Sequence, residues 1–158
     1  MITPTYFRYQ FVRLDDCVSK AIAWFSAGHF SHVDIVLDDG RLLGARSDGG
    51  VQIRAAGYRK WTKCVAIDIP CTQAQKDTAI AFASAEIGKP YDHLAIWGFV
   101  LNRSWRDTEA WFCSELAAQS GEQAAFWPHL YSPVNHITPA AFALVCSAVP
   151  GRVITTLK

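Results

Sequence analysis

Three residues in this chain have the types and setting for acyl-transfer chemistry: Cys113, His32 and Asp34. Cys113 stands in "WFCSELAAQS" (residues 111–120), where a polar stretch gives way to a helical pattern. Backbone N–H groups at a helix N-terminus favour a thiolate and can also hold an oxyanion. The other cysteines are placed less well. Cys64 lies in an apolar strand pattern, Cys146 near the apolar end of a helix, and Cys71 just before a capping threonine. Cys17 also sits at a helix start, so position alone does not exclude it. The competing reading makes Cys113 a small buried hydrophobe.

His32 and Asp34 stand in "SHVDIV" (31–36), whose alternation reads as a strand. Residues two apart share a strand face. A carboxylate beside the imidazole raises its pKa and favours a thiolate–imidazolium pair. The competing reading puts both on a solvent face, with Val33, Ile35 and Leu37 inward. That reading predicts a polar continuation, yet the next residue on the face is Val36. Residues i and i+2 have Cβ atoms about 7 Å apart, so contact needs the side chains to lean together, or a water. The remaining histidines are weaker. His29 precedes the strand, His93 follows Tyr91-Asp92, and His129 and His136 lie in a Pro- and aromatic-rich stretch.

The elements that must position these residues can be read in order. "YFRYQFV" (6–12) is a strand, and Asp15 or Asp16 is placed to cap a helix through about Phe25, stopped by Gly28. Residues 31–54 read as strands joined at Asp38-Asp39-Gly40, with a second turn at Asp48-Gly49-Gly50. "KCVAIDIP" (63–70) is a strand ended by Pro70. Thr72 and Gln75 form a capping box for a helix over 73–87, with Ala79, Phe82, Ala83 and Ile87 on one buried face and Gly88 as its stop. "DHLAIWGFVL" (92–101) reads as a short buried helix and "NRSWRDTEA" (102–110) as a loop. Thr138-Pro139 starts a last helix, and "RVITTL" (152–157) is a closing strand. The sum is an α+β chain with a central antiparallel sheet.

The length of 158 residues fits one domain over 1–158. Apolar residues at 51% against 18% charged argue for a packed core rather than disorder. A net charge of +1 gives no electrostatic reason to bind nucleic acid. No apolar run reaches the roughly 20 residues of a membrane span. No export signal is visible, which points to the cytoplasm, although phage-encoded or lysis-released enzymes also lack one. Five cysteines without a C-x-x-C pair read as free thiols, and the paired spacing of a structural zinc site is missing.

Together these residues resemble a known family. "ASAEIGKPYDHLAIWGF" (83–99) and "WFCSELAA" resemble the nucleophile segment of NlpC-like cysteine peptidases of the papain-like superfamily. "HVDIVLDDGRLLGA" (32–45) resembles the hairpin carrying that family's histidine. Here the hairpin comes first, the order of the circularly permuted, YiiX-like branch, which also includes relatives of lecithin retinol acyltransferase. The resemblance implies a circularly permuted papain-like (NlpC-type) fold, with a central antiparallel sheet or half-barrel and helices packed on it. It implies Cys113 as nucleophile, His32 as general base, and Tyr91 lining the nucleophile pocket as an oxyanion or substrate contact. The family places a polar residue on the second hairpin strand before an Ala, where this chain has Gly44, and often a Gly where this chain has Asp34. With the turn near Asp39, positions 34 and 44 fall opposite each other. Asp34 then has room to orient His32, with Asp48 as the fallback. Glu115 points away from the nucleophile, and Ser114 supports the helix start.

The implied activity is a cysteine-dependent hydrolase cleaving an amide bond in a peptide, peptidoglycan-like or acylated substrate, with no metal or organic cofactor. Two alternatives stay open. One is a thiol acyltransferase or lipid esterase, favoured by an apolar cleft of Trp97, Phe99, Trp111, Phe126 and Trp127. The other is a non-catalytic binding module.

Overall fold

A computed structural model describes residues 5–15, 28–92, 110–129 and 137–157. The helix expected over 16–25, the segment 93–109, and with them Cys17, His93, Trp97, Phe99 and His136 lie outside these residues. The elements in chain order are β1 (Thr5–Arg13), β2 (His32–Val36), β3 (Leu42–Arg46), β4 (Gly50–Arg54), β5 (Lys63–Cys71), α1 (Gln73–Ala85), α2 (Cys113–Gln123), α3 (Pro139–Ala148) and β6 (Val153–Leu157). The strands form one six-stranded antiparallel sheet in the order β4-β3-β2-β1-β5-β6. The described chain is thus α+β, as its pattern of strands and helices predicts.

Strand alternation decides which side of this sheet becomes the core. Tyr9 pairs with Ile35 on one side and Ile67 on the other, and Ile35 pairs with Leu43. This apolar row packs in one cluster with Ala79 and Ala83 of α1, Leu116 and Ala117 of α2, and Phe142 of α3. Aromatic rings join the layers: Tyr9 meets Phe142 edge-on at 5.0 Å and 83°, and Phe7 lies tilted 5.1 Å from Phe126. Each such buried side chain contributes about 1.5–3 kcal/mol. The Tyr9 hydroxyl donates to the Ala117 carbonyl at 3.1 Å, fixing α2 along the sheet.

The neighbouring row, offset by one residue, is polar. Gln10 pairs with Asp34, and Gly44 pairs with Gln52. Extending the β2–β3 register from Ile35–Leu43 sets Asp34 opposite Gly44, the arrangement that the hairpin symmetry predicts.

Local signals explain most helix boundaries. Gln75 N–H donates to Thr72 Oγ1 at 3.2 Å and Thr72 N–H donates to Gln75 Oε1 at 3.0 Å, completing the capping box. Thr138 caps α3 ahead of Pro139. Two expectations need correction. Ile87 is not on a buried face: α1 ends at Ala85, and Ile87 sits in the following turn, 44% exposed. Pro70 does not end β5, which runs to Cys71, because Pro70 faces Tyr6 near the start of β1 and the ladder continues to Thr5–Cys71. Among the described residues no helix is long and apolar enough to cross a membrane.

Candidate active site

Two segments far apart in sequence converge at the start of β2 and the start of α2. The β2 end is pinned first: Ser31 N–H donates to the Val12 carbonyl at 3.0 Å, and Leu14 N–H donates to Ser31 Oγ at 3.1 Å. His32 follows, 4% exposed, and Asp34 is 2% exposed. Neither lies on a solvent face. The two side chains lean together along the strand, with His32 Nε2 2.9 Å from Asp34 Oδ1 and no bridging water needed.

Cys113 is the first residue of α2 and is buried. Phe112 takes the N-cap position without a side-chain cap. α2 packs against β2 and β3, which brings Cys113 close enough to act on the His32 imidazole. With Nε2 engaged by Asp34, Nδ1 is the ring nitrogen left for the thiol. Burial alone pushes the His32 pKa down, but Asp34, with Cys113 nearby, more than offsets it. The imidazole is raised from 6.5 to about 9. Asp34 moves the other way. Burial raises its carboxyl, and His32, a Tyr58 hydrogen bond and Arg54 together hold it below the usual value.

Tyr58 is the site residue that sequence reasoning missed. It lies between β4 and β5, and its hydroxyl donates to Asp34 Oδ2 at 3.0 Å while standing 3.2 Å from His32 Nε2. The guanidinium carbons of Arg46 and Arg54 lie 5.4 and 5.5 Å from its ring centroid. A signal for it existed. Asp34, Arg46 and Arg54 share one face of the sheet, and polar residues buried in that way need a polar cover.

The fallback, Asp48, does not reach the histidine. It binds Arg46 Nε at 3.2 Å and Arg59 Nη2 at 3.1 Å, with Arg54 Nη2 at 3.8 Å. It neutralises the arginines around Tyr58 instead.

Gly44 explains why Asp34 fits. A Cβ there would run into Asp34 Oδ1 and lie 3.2 Å from its Cγ. Gly→Ala in a strand without such a neighbour stabilises by about 0.4–1 kcal/mol. Here Gly44→Ala is expected to destabilise by about 1–3 kcal/mol through overpacking. The same change in an Asp34→Ala background should be neutral or stabilising. Denaturant unfolding of the four proteins in this cycle checks it, and equal costs in both backgrounds would refute the contact.

Tyr91 is carried to the helix start by backbone. Trp111 N–H donates to the Pro90 carbonyl at 3.0 Å, and Asp92 N–H donates to the Trp111 carbonyl at 3.1 Å. The Tyr91 ring packs 5.6 Å from Phe112, beside Cys113. The same segment also pairs with β4: Val51 N–H donates to Lys89 O and Gly88 N–H to Val51 O, both at 2.9 Å. Gly50 permits that approach, with φ +67 and a Cβ position that Lys89 O would occupy. Trp111 Nε1–H donates to Glu86 Oε2 at 2.5 Å, tying the helix approach to the end of α1.

Ser114 donates to the Ile137 carbonyl at 2.6 Å, docking the start of α2 on the chain before α3. Glu115 is buried in the first turn, where a carboxylate complements the helix dipole. His129 is exposed and pairs with Glu122 at 2.6 Å, and His29 stays in the loop before β2. Of the aromatic residues assigned to an apolar cleft, Trp111 and Trp127 belong to the core cluster, each 8% exposed, and Phe126 packs against it half-buried.

No protein-family model matches this sequence, and no curated protein sequence does. At the level of fold, the class is clear. The chain is similar to a crystal structure of the metalloprotein yiiX from Escherichia coli O157:H7, with a TM-score of 0.66 and 18% identity over 99% of this chain and 98% of that one. The likeness establishes a YiiX-like α+β fold. That protein is described as a metalloprotein. Among the described residues here, no three His, Cys, Asp or Glu side chains are arranged to hold a metal ion. His32 Nε2, the nearest ring donor to Asp34, is already committed to Asp34 and Tyr58. The described residues around His32 do not fit a metal centre.

Proposed function

We propose that this chain is a cysteine-dependent hydrolase of the circularly permuted papain-like type. It cleaves an amide bond in a peptide, a cell-wall-type peptide or an acyl conjugate. One observation carries the reading: Cys113 opens a helix and acts on a buried imidazole that a carboxylate holds at Nε2. That is the arrangement of an activated nucleophile, its base and the group that orients the base.

The reaction follows from these parts. Cys113 Sγ attacks the carbonyl carbon, and the carbonyl oxygen becomes an oxyanion. The Cys113 backbone N–H, with Tyr91 beside it, stabilises that charge. The His32 imidazolium gives its Nδ1 proton to the leaving amine, the C–N bond breaks, and a thioester remains. His32, now neutral, takes a proton from water, whose oxygen attacks the thioester and releases the acid and the thiolate. Asp34 stays ionised throughout and holds the ring.

The test is selective thiol modification at mildly acidic pH. Cys71 is more exposed than Cys113, but burial pushes its thiol pKa up, as it does that of Cys64, to about 11, and of Cys146. A small alkylating reagent is expected to modify Cys113 ahead of Cys71, as read by peptide mass mapping. Modification of Cys71 first would show that exposure alone governs reactivity, and the hydrolase reading would fail.

A further inference from the structure

Tyr58 belongs to no motif, yet it closes a triangle with His32 and Asp34. Its hydroxyl reaches Asp34 Oδ2 at 3.0 Å, while Oδ1 of the same carboxylate takes the His32 ring at 2.9 Å. The two carboxylate oxygens are therefore held by different groups from different elements. A carboxylate gripped at one oxygen can pivot about its Cβ–Cγ bond. Gripped at both, it cannot, and neither can the imidazole that depends on it.

Tyr58 is itself aimed. Arg46 and Arg54 bracket its ring. Arg54 is fixed by donating to the Gly44 carbonyl at 3.1 Å and the Gly50 carbonyl at 3.2 Å. Arg59, the next residue in the chain, binds Asp48 at 3.1 Å, and Asp48 also holds Arg46. The loop carrying Tyr58 is tied to β3 and β4 on both sides of the ring. Burial, then Asp34, push the phenol pKa well above its usual value, so it donates its proton across the whole working pH range.

We infer that Tyr58 is a positioning residue, locking the Asp34 carboxylate and through it the His32 ring, with Arg46 and Arg54 as its brackets. The inference rests on the reading of His32 as the base for Cys113. The groups facing Asp34 are His32 on its own strand, Tyr58 from the loop and Arg54 from β4. Of these, only the Tyr58 hydroxyl holds Oδ2 by a hydrogen bond.

Tyr58→Phe removes that donor and keeps the ring between its arginines. A hydrogen bond to a charged group corresponds to roughly a tenfold to hundredfold effect. The variant is expected to lower kcat by about tenfold with KM unchanged. Without the donor the Asp34 carboxylate is less stabilised, so it protonates at higher pH. The acid limb of kcat/KM should move up, and the Asp34 carboxyl should titrate at higher pH by carbon-13 NMR. In an Asp34→Ala background, adding Tyr58→Phe should cost far less, because its target is gone.

Wild-type kcat, acid limb and Asp34 titration in Tyr58→Phe would overturn the inference, as would equal costs in both backgrounds. The NMR titration needs no substrate. If the wild-type protein hydrolyses nothing, the proposed function fails while the Asp34 titration still decides what Tyr58 does.

Discussion

Cys113→Ala is expected to reduce hydrolysis by about a thousandfold or more, since removing a covalent nucleophile removes the step that the remaining residues support. The fold should persist. The side chain is 1% exposed and contributes one sulfur atom to the core cluster, so its loss costs about 1 kcal/mol. Cys113→Ser is expected to be nearly as inactive for a different reason. A serine hydroxyl is far less acidic than a thiol, so it does not form the anion–imidazolium pair that a thiolate forms. The measurement is steady-state turnover of any substrate that the wild-type protein cleaves, alongside thermal unfolding. Retained turnover in Cys113→Ala would end the thiol mechanism. A binding module would show no turnover in either protein and undiminished ligand binding in the variant.

Asp34→Ala should lower kcat by about 10²- to 10⁴-fold, the range for losing the group that orients a catalytic histidine. Its pH signature separates it from general damage. With the carboxylate gone, burial favours the neutral ring, so the His32 pKa falls from about 9. The imidazolium that protonates the leaving group is then lost at lower pH, and the basic limb of the rate profile moves down. Stability should respond with a definite sign. A His32 pKa raised above 6.5 gives stability fully present below that pH and lost as pH rises through about 9. An Asp34 pKa below 3.8 gives stability present above that value and lost as pH falls through its folded value. In Asp34→Ala both dependences should flatten in chemical denaturation followed from pH 3 to 10. Full activity in this variant would assign the orienting role elsewhere, and Asp48, which binds Arg46 and Arg59, would have to leave them to take it.

Much of this was written locally in the chain. Alternation in "SHVDIV", the turn residues at 38–40 and the symmetry of the hairpin were enough to set Asp34 against Gly44. The Thr72–Gln75 box and Thr138-Pro139 mark helix starts because capping depends on residues three positions apart. Tyr58 was not legible, because its partners are 24 and 26 residues away and no local spacing encodes them. Ile87 misled for the opposite reason. Its spacing suits a helix face, but Gly88, with φ +94, sits just past where the helix stops, and periodicity means nothing beyond the last turn. The aromatic residues misled too: composition cannot tell a ring that lines a cleft from one that fills a core, as Trp111 and Trp127 do.

The paired segment at residues 88–92 carries a mechanical consequence. On one side it is laddered to β4 of the sheet that carries His32, and on the other to Trp111, two residues before Cys113. Sulfur and imidazole therefore hang from opposite edges of one short rail. The backbone from which they hang is set by peptide geometry, which barely stretches. A disturbance on either edge, such as a side chain at Gly50 forced against Lys89, is transmitted to the other without passing through the reacting groups. Alignment in such a device is inherited from the skeleton, and it should survive considerable wear of the surface around it.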